Sequence, residues 1–254
     1  MEADSWHILK KFTHARIANG HAGSALPTRE VLHFRMSHAL ARDAVYSSLD
    51  VDQLSRSLSN SGMPSITLHS QAQDRSDYLL NPNKGRVLDK DSIEKLQSEG
   101  ALEVDLCIII ADGLSASAVN LHALNVIELL KVHLPSWQLA TVVLVKQARV
   151  AISDTIGELI RAKIALILIG ERPGLSSPSS MGAYITYQPK SGNTDEKRNC
   201  ISNIQPEGLS YEFAASKIAY MLNQMRMQQL SGVKLKDDFD GSLMQLGEQA
   251  KMVL

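Results

Sequence analysis

The sequence VDLCIIIADGLSASAVNLHALNVIELL, residues 104–130, decides the fold class. Its first part, Val104–Ala111, is apolar except for Asp105, and such a run is typical of a buried parallel strand. From Ser115 to about Val132 the apolar residues recur at helical spacing, so a helix follows the strand. A short turn that contains a glycine joins the two elements. The stretch therefore predicts one strand–helix unit of an α/β fold.

The same alternation continues towards the carboxyl end. The further elements are expected as strands at 139–145, 164–169 and 183–187, a short helix between the first two of these, and a long amphipathic helix at 210–230. Thr155-x-x-Glu158 matches a capping box and is expected to open the short helix. Gly232 is expected to stop the long one. This order predicts a Rossmann-like, doubly wound parallel sheet.

The flanking segments differ from this central region. Residues 4–62 carry apolar residues at helical spacing, interrupted at 18–27 by a loop with two glycines and a proline. A short strand at Ser65–His69 and a helix near Asp91 are expected to follow. The last segment is charged and poorly periodic, so we expect a tail that a partner orders in part. The expected regions are a mostly helical N-terminal region at 1–100, the sheet domain at 101–232 and the tail at 233–254.

Composition excludes several classes of protein. The 26 basic and 27 acidic residues give a net charge of -1, and only 5% of residues are aromatic, so the chain has no broad basic surface and few stacking groups for nucleic acid. No apolar run approaches ~18 residues, and the acidic start does not resemble a secretion signal. The two cysteines lie far apart, which excludes a disulfide framework. We expect a cytoplasmic protein that neither spans a membrane nor binds nucleic acid.

The common catalytic motifs are missing from the sequence. It contains no G-x-G-x-x-G, no G-x-x-x-x-G-K-[ST], no H-E-x-x-H and no G-x-S-x-G, so the usual dehydrogenase, P-loop, zincin and α/β-hydrolase assignments lose their main support. The eight histidines are scattered and do not pair with carboxylates at metal-ligand spacing. We therefore expect neither a metal site nor a catalytic residue of these classes.

A ligand crevice is expected beyond the carboxyl ends of the strands, where ligands bind in open parallel sheets. The segments that follow the expected strands are 111–116, 147–152, 170–178 and 198–204. Their glycines permit close backbone approach, and their hydroxyl and amide groups offer hydrogen bonds to a polar ligand. Within them, Glu171 and Arg172 could form a solvated ion pair or contact a ligand, and Cys200, expected in a loop, could contact a ligand or only pack.

These residues alone predict a doubly wound ligand-binding domain, and two kinds of function remain open for it. One is a protein that binds a nucleotide or small molecule without a partner. The other is an adaptor without a ligand, which the helical N-terminal region and the methionines at 221, 225 and 227 would suit.

Several of these loops resemble one known family. The motifs are ADGLS at 111–115, DTIGE at 154–158, GERPGL at 170–175 and CISNI at 200–204. Together with shorter matches from about residue 9 to residue 209, they resemble the light (small) subunit of ethanolamine ammonia-lyase. The tail after Ser231 matches no motif of that family.

The resemblance implies an adenosylcobalamin-dependent enzyme that converts ethanolamine to acetaldehyde and ammonia by a radical mechanism. It implies a complex of six large and six small subunits, in which the large subunit is a TIM barrel that holds the substrate. The small subunit would cover the cobalamin at the interface, and the family's contacts fall here on Val150, Glu171 and Cys200. None of the three would be catalytic. The resemblance also implies an N-terminal region in subunit contact and a location in a bacterial microcompartment.

The sequence lacks the motif D-x-H-x-x-G, with which some cobalamin proteins replace the cofactor's own base by a histidine. For a member of this family, we therefore expect the dimethylbenzimidazole to stay on cobalt, in the base-on mode.

Overall fold

The computed structural model describes residues 5–13, 15–99 and 103–240. The described ranges hold seven α-helices and six strands: α1 (Thr28–Tyr46), α2 (Val51–Asn60), β1 (Ser65–His69), α3 (Arg75–Leu80), α4 (Lys90–Ser98), β2 (Val104–Ala111), α5 (Ala116–His133), β3 (Val142–Lys146), α6 (Ile152–Ile160), β4 (Ala162–Gly170), β5 (Met181–Tyr187), β6 (Arg198–Ile204) and α7 (Tyr211–Gln228). Among these helices, none combines the length and the apolar character needed to cross a lipid bilayer.

The strands form one mixed sheet in the order β1-β3-β2-β4-β5-β6. The first four are parallel, whereas β5 is antiparallel to both β4 and β6. The expected α/β class is confirmed, but the expectation of a wholly parallel sheet is wrong. The reason lies in the connections, because a parallel crossover needs a dozen or more residues, usually with a helix. The short segment 171–180 between β4 and β5 carries no helix, and the chain turns back instead.

The predicted loop around Cys200 is in fact the edge strand β6. Its polar residues Asn199, Ser202 and Asn203 gave the segment the composition of a loop. They are accommodated because an edge strand has one neighbour only and much of β6 faces solvent. Asn203 adopts a φ of 61° near the end of the strand, where the register with β5 also shifts.

Both faces of the sheet are packed, but to different extents. Helices α5 and α7 pack on one face and on each other, over β2, β4, β5 and β6. Helices α4 and α6 pack on the other face, where α6 lies mainly against β2 and β4. On that second face Tyr184 of β5 is half-buried, and Cys200, which pairs with it on the neighbouring strand β6, is exposed. On the α6 side of the sheet, α4 and α6 therefore leave part of β5 and β6 uncovered, and we call this part, around Tyr184 and Cys200, the uncovered shelf.

Helix α6 does not begin with the predicted capping box. It begins at Ile152, after an Ala151 cap that makes no side-chain hydrogen bond. Thr155 lies inside the helix and its hydroxyl contacts that of Ser191 at 3.1 Å, while the Glu158 carboxylate accepts the backbone N–H of Ser191 at 2.9 Å. The two polar side chains thus bind the β5–β6 connection instead of the helix end.

The two ends of the chain are held differently. Within α1 only Ala44 is buried, so this helix presents most of its surface to solvent. The first hundred residues also supply β1, which pairs with β3 of the following region. The start of the expected C-terminal tail packs on the body, because Leu235 is buried in the core and Phe239 meets Phe213 edge-on at 5.3 Å. The rest of that expected tail, 241–254, lies outside the described residues.

Candidate functional site

The three residues implied by the family resemblance come from three different elements. Val150 lies in the loop between β3 and α6, Glu171 follows the end of β4, and Cys200 lies in β6. Tyr184 of β5 pairs directly with Cys200 across the sheet, and its ring, like the Glu171 side chain, lies against Gly182. The carboxyl end of β4 and the uncovered shelf thus meet at one place.

Two adjoining cavities mark this place. One, of ≈ 290 Å³, lies against Val150, Tyr184 and Cys200, and the other, of ≈ 460 Å³, lies against Val150, Tyr184 and Glu171. Arg149 also borders both. We refer to the two cavities together as the cleft. The structure therefore brings all three predicted residues to one open cleft, with Tyr184 as its floor.

Glu171 is held over the edge of the sheet rather than paired with a cation. Its carboxylate accepts a hydrogen bond from the Ser202 hydroxyl and another from the Asn203 backbone N–H at 3.2 Å. The side chain crosses above Gly182, where a Cβ atom would lie 3.0 Å from Oε1 of the carboxylate. Among the ion pairs of the described residues none involves Glu171, so the solvated pair with Arg172 does not form. The remaining lone pairs of the carboxylate can accept N–H groups of a ligand.

Tyr184 and Cys200 are direct neighbours across β5 and β6. Partial removal of the Cys200 thiol from water raises its pKa above the usual 9.0, and the Glu171 carboxylate acts in the same direction, while Tyr184 opposes the shift. Burial raises the pKa of Tyr184 as well, and the neighbouring thiol adds to this. The thiolate is the nucleophilic form of cysteine, so a protonated Cys200 offers a small, weakly polar surface and not a reactive group.

Asp112 anchors the loop that carries Val150. It follows β2 and is almost fully buried, and its carboxylate accepts the backbone N–H groups of Gln147 at 2.7 Å and Ala148 at 2.9 Å. Burial raises its pKa, while these hydrogen bonds oppose that shift. The sequence predicted that the loop after β2 would offer donors to a ligand, but the Asp112 side chain instead binds the neighbouring loop.

Glycines at the strand ends let two of the loops touch. A Cβ on Gly113 would lie 2.2 Å from the carbonyl oxygen of Gly170, and one on Gly170 would lie 2.0 Å from that of Ser115. Gly113 also has a φ of +56°, which side chains rarely adopt. These glycines therefore serve contact between the two loops, where the sequence suggested an approach of backbone to ligand.

Sequence reasoning missed a group of side chains that border and support the cleft. The guanidinium groups of Arg75 and Arg149 lie 4.7 Å and 4.5 Å from the ring centre of Tyr78. The Tyr78 hydroxyl donates to the carbonyl oxygen of Ala148 at 3.2 Å, and burial raises the pKa of Tyr78 to about 12. Arg75 also donates to the Gly113 carbonyl at 2.8 Å. No local pattern in the first hundred residues indicates that α3 would support the loops of the sheet.

The groups in the cleft are suited to binding. They offer an anchored carboxylate, a phenol, a protonated thiol and the apolar surface of Val150. Within the described ranges, no three histidine, cysteine, aspartate or glutamate side chains lie close enough together to hold a metal ion.

Comparison with known proteins identifies close relatives along most of the chain. The family model described as ethanolamine ammonia-lyase light chain matches residues 3–236. A curated protein of Xanthomonas campestris pv. campestris, named ethanolamine ammonia-lyase small subunit, is 48% identical over 247 residues, which is 95% of this chain and 90% of that protein. A protein of the same name from Pseudomonas aeruginosa is 50% identical over 238 residues, or 92% and 87% of the two chains. A third, from Pseudomonas fluorescens, is 47% identical over 252 residues, or 97% and 92%.

Proposed function

Since this chain belongs to the ethanolamine ammonia-lyase light-chain family, it is a component of a lyase, and we propose that it binds adenosylcobalamin in the cleft, at an interface with the large subunit. In this proposal the complete enzyme converts ethanolamine to acetaldehyde and ammonia. When bound, the cofactor supplies a radical through its cobalt–carbon bond. The residues of this chain bind and orient the cofactor and exclude water, and none of them breaks a bond of the substrate.

The observation that carries the proposal is the meeting of Val150, Glu171 and Cys200 in one cleft. The rim of a corrin ring bears amide side chains, whose N–H groups match the free lone pairs of the Glu171 carboxylate. The lack of a side chain at Gly182 leaves room for Glu171 to reach across the sheet edge. Val150 and Cys200 present small surfaces that permit close approach of the ring. The residues present thus fit the cofactor.

The shape of the cleft supports a shared site. Cavities of ≈ 290 Å³ and ≈ 460 Å³ are no larger than the sites that enclose drug-sized ligands, whereas adenosylcobalamin is much larger than such a ligand. Part of the cofactor would project from this chain and need a cover. The large subunit, which the names of the relatives imply, would supply it, and in this proposal it is a TIM barrel that also holds ethanolamine.

The exposed surface of α1 supports a second area of contact with the large subunit. Leu32, Met36 and Leu40 recur at every fourth position of this helix, and they are 57%, 62% and 45% exposed. Apolar side chains gathered in this way on a helix favour cover by a partner. We extend the proposal to an assembly of six large and six small subunits, base-on cofactor binding and a location within a cytoplasmic bacterial microcompartment, which rest on the family resemblance.

The test is an activity measurement by omission. The chain and the large subunit of the same organism are purified together, and acetaldehyde release from ethanolamine is followed with the small chain, the large subunit or adenosylcobalamin left out in turn. We expect release only when all three are present. Full activity of the large subunit without this chain would contradict the proposal, and so would the absence of cofactor-dependent activity in the complete mixture.

A further inference from the structure

A buried ion pair joins the two sides of the cleft. Arg198, the first residue of β6, donates through Nη2 to the carboxylate of Asp154 in α6, and each side chain is 2% exposed. The same guanidinium donates through Nη1 to Asp195 at 2.6 Å and through Nη2 to the Asn193 carbonyl at 3.2 Å. Asp195 is 92% exposed, so the Asp154 carboxylate is the buried partner of this cation.

Stability alone is a weak reason for such a pair. Removing two charges from water costs free energy that their attraction repays only with good geometry and further hydrogen bonds. Here Nε of Arg198 is buried and has no hydrogen-bond partner among the described residues. Apolar side chains of similar volume often stabilise a core as well as a buried ion pair does. The position of the pair beside the cleft points to a further role.

The pair lies at the end of the cleft. Arg198 is two residues before Cys200 on β6, and Asp154 is about one helical turn after Val150. Arg198 and Asp195 form part of the cavity that Val150 and Cys200 line. The bridge thus connects the wall that carries Val150 to the strand that carries Cys200.

Three other contacts join α6 to the β5–β6 connection, but at greater distance along the chain from Cys200. Gly157 lies against Pro189, where a Cβ would approach within 2.4 Å of the proline ring. Glu158 accepts the N–H of Ser191, and the Thr155 hydroxyl contacts the Ser191 hydroxyl. All three anchor the start of the connection, whereas the ion pair reaches β6 itself.

We propose that Arg198 and Asp154 are positioning residues that set the spacing of Val150 and Cys200, and so the affinity of the cleft for its ligand. This inference rests on the proposed function, in which the ligand is a corrinoid cofactor. Although Arg198 borders the cavity, each side chain of the pair is only 2% exposed, so the pair acts through the walls that it joins. A change in the pair shifts β6 relative to α6, and the cofactor then meets walls that are spaced incorrectly.

The test separates stability from spacing. In the complex with the large subunit, Asp154→Leu together with Arg198→Met replaces the pair by apolar side chains. We expect this double variant to melt near the wild-type temperature and to keep its kcat at saturating adenosylcobalamin, while the Kd and the KM for the cofactor rise about tenfold. If the pair serves stability alone, the double variant will have both the melting temperature and the cofactor Kd of the wild type. That result would overturn the proposal.

A single substitution tests the same point if the double variant does not fold. Arg198→Lys keeps the positive charge but loses the planar fork that holds Asp154, Asp195 and Asn193 together. We expect a folded complex with a raised Kd for the cofactor and an unchanged kcat. A Kd equal to that of the wild type would contradict the inference.

The control is an ion pair at the amino ends of two central strands of the sheet. Lys163 on β4 pairs with Asp105 on β2 at 2.9 Å, near the amino ends of the strands. We expect Lys163→Met with Asp105→Asn to leave the Kd for adenosylcobalamin unchanged, and an equal loss there would show that any ion pair has this effect. If the wild-type complex fails to bind cobalamin, the proposed function fails and the inference fails with it. If the wild-type complex binds cobalamin and the Arg198 and Asp154 variants bind it with the same Kd, the inference alone fails.

Discussion

Glu171 holds a carboxylate at the mouth of the cleft because Ser202 and Asn203 donate to it from β6. Replacing it by alanine removes the acceptor that we assign to the cofactor's amide groups. We expect Glu171→Ala to weaken binding of adenosylcobalamin to the complex by about 1–3 kcal/mol, the cost of leaving a desolvated hydrogen-bond donor without its acceptor. Isothermal titration of the complex with the cofactor measures this change.

The control for Glu171 is a carboxylate far from the cleft. Glu94 on α4 is 63% exposed and pairs with the nearby Lys90. We expect Glu94→Ala to leave the cofactor Kd unchanged. If Glu171→Ala also binds the cofactor with wild-type affinity, Glu171 is not part of the site.

Cys200 is exposed, but its environment favours the protonated thiol. Because its pKa is raised, the thiolate fraction at pH 8 is lower than that of a free cysteine. We expect iodoacetamide to modify Cys200 more slowly than free cysteine at pH 8, with the difference narrowing as the pH rises above the usual pKa. Bound adenosylcobalamin should slow the reaction further. Peptide mapping by mass spectrometry measures both rates.

The second cysteine provides the internal reference. Cys107 is fully buried in β2, and burial raises its pKa to about 12. It should stay unmodified in the folded complex. Modification of Cys200 at the rate of free cysteine, with or without cofactor, would contradict both the assigned protonation state and the assigned contact.

At the scale of elements, Asp112 connects the end of β2 to the loop after β3. An asparagine there would turn an NH₂ group or a weaker acceptor towards the two backbone N–H groups at Gln147 and Ala148. We expect Asp112→Asn to lower the free energy of unfolding by about 1–3 kcal/mol, because the two buried N–H groups lose the charged carboxylate that accepts both of them. Urea unfolding of the chain followed by circular dichroism measures the loss.

Asp89 is the matched control for this substitution. It caps α4 by accepting the N–H of Ser92 at 2.8 Å, and asparagine is an equally good helix cap. Asp89→Asn should therefore unfold close to the wild-type urea concentration. Equal stability of Asp112→Asn and the wild type would mean that the carboxylate does not hold the loop.

Sequence patterns predicted the buried strands better than the edge of the sheet. Residues 104–111 form a strand as expected, because both of its faces are covered and almost every side chain must be apolar. The strand β6 escaped prediction, since an edge strand tolerates the polar residues that also mark a loop. The antiparallel direction of β5 depends on a short connection, which the strand's own residues do not encode.

At the scale of the whole molecule, the location of the cleft followed from a general rule. Ligand sites in α/β sheets lie beyond the carboxyl ends of the strands, and Val150 and Glu171 are in such loops. The rule indicated the segments 147–152, 170–178 and 198–204, and the resemblance to the family selected Val150, Glu171 and Cys200 within them. Tyr184, Arg75 and the ion pair of Arg198 could not be predicted, because each takes part through contacts between elements distant in sequence.

The central claim is that the cleft and the large subunit hold one cofactor between them. The most direct measurement is equilibrium dialysis of adenosylcobalamin against the chain alone, the large subunit alone, the complex, and a complex carrying Cys200→Trp, whose indole would fill the cavity beside Tyr184. We predict tight retention by the wild-type complex, weak retention by either chain alone, and loss of retention in the assembled Cys200→Trp complex. Retention by the large subunit alone, or by the Cys200→Trp complex, at the wild-type affinity would contradict the claim.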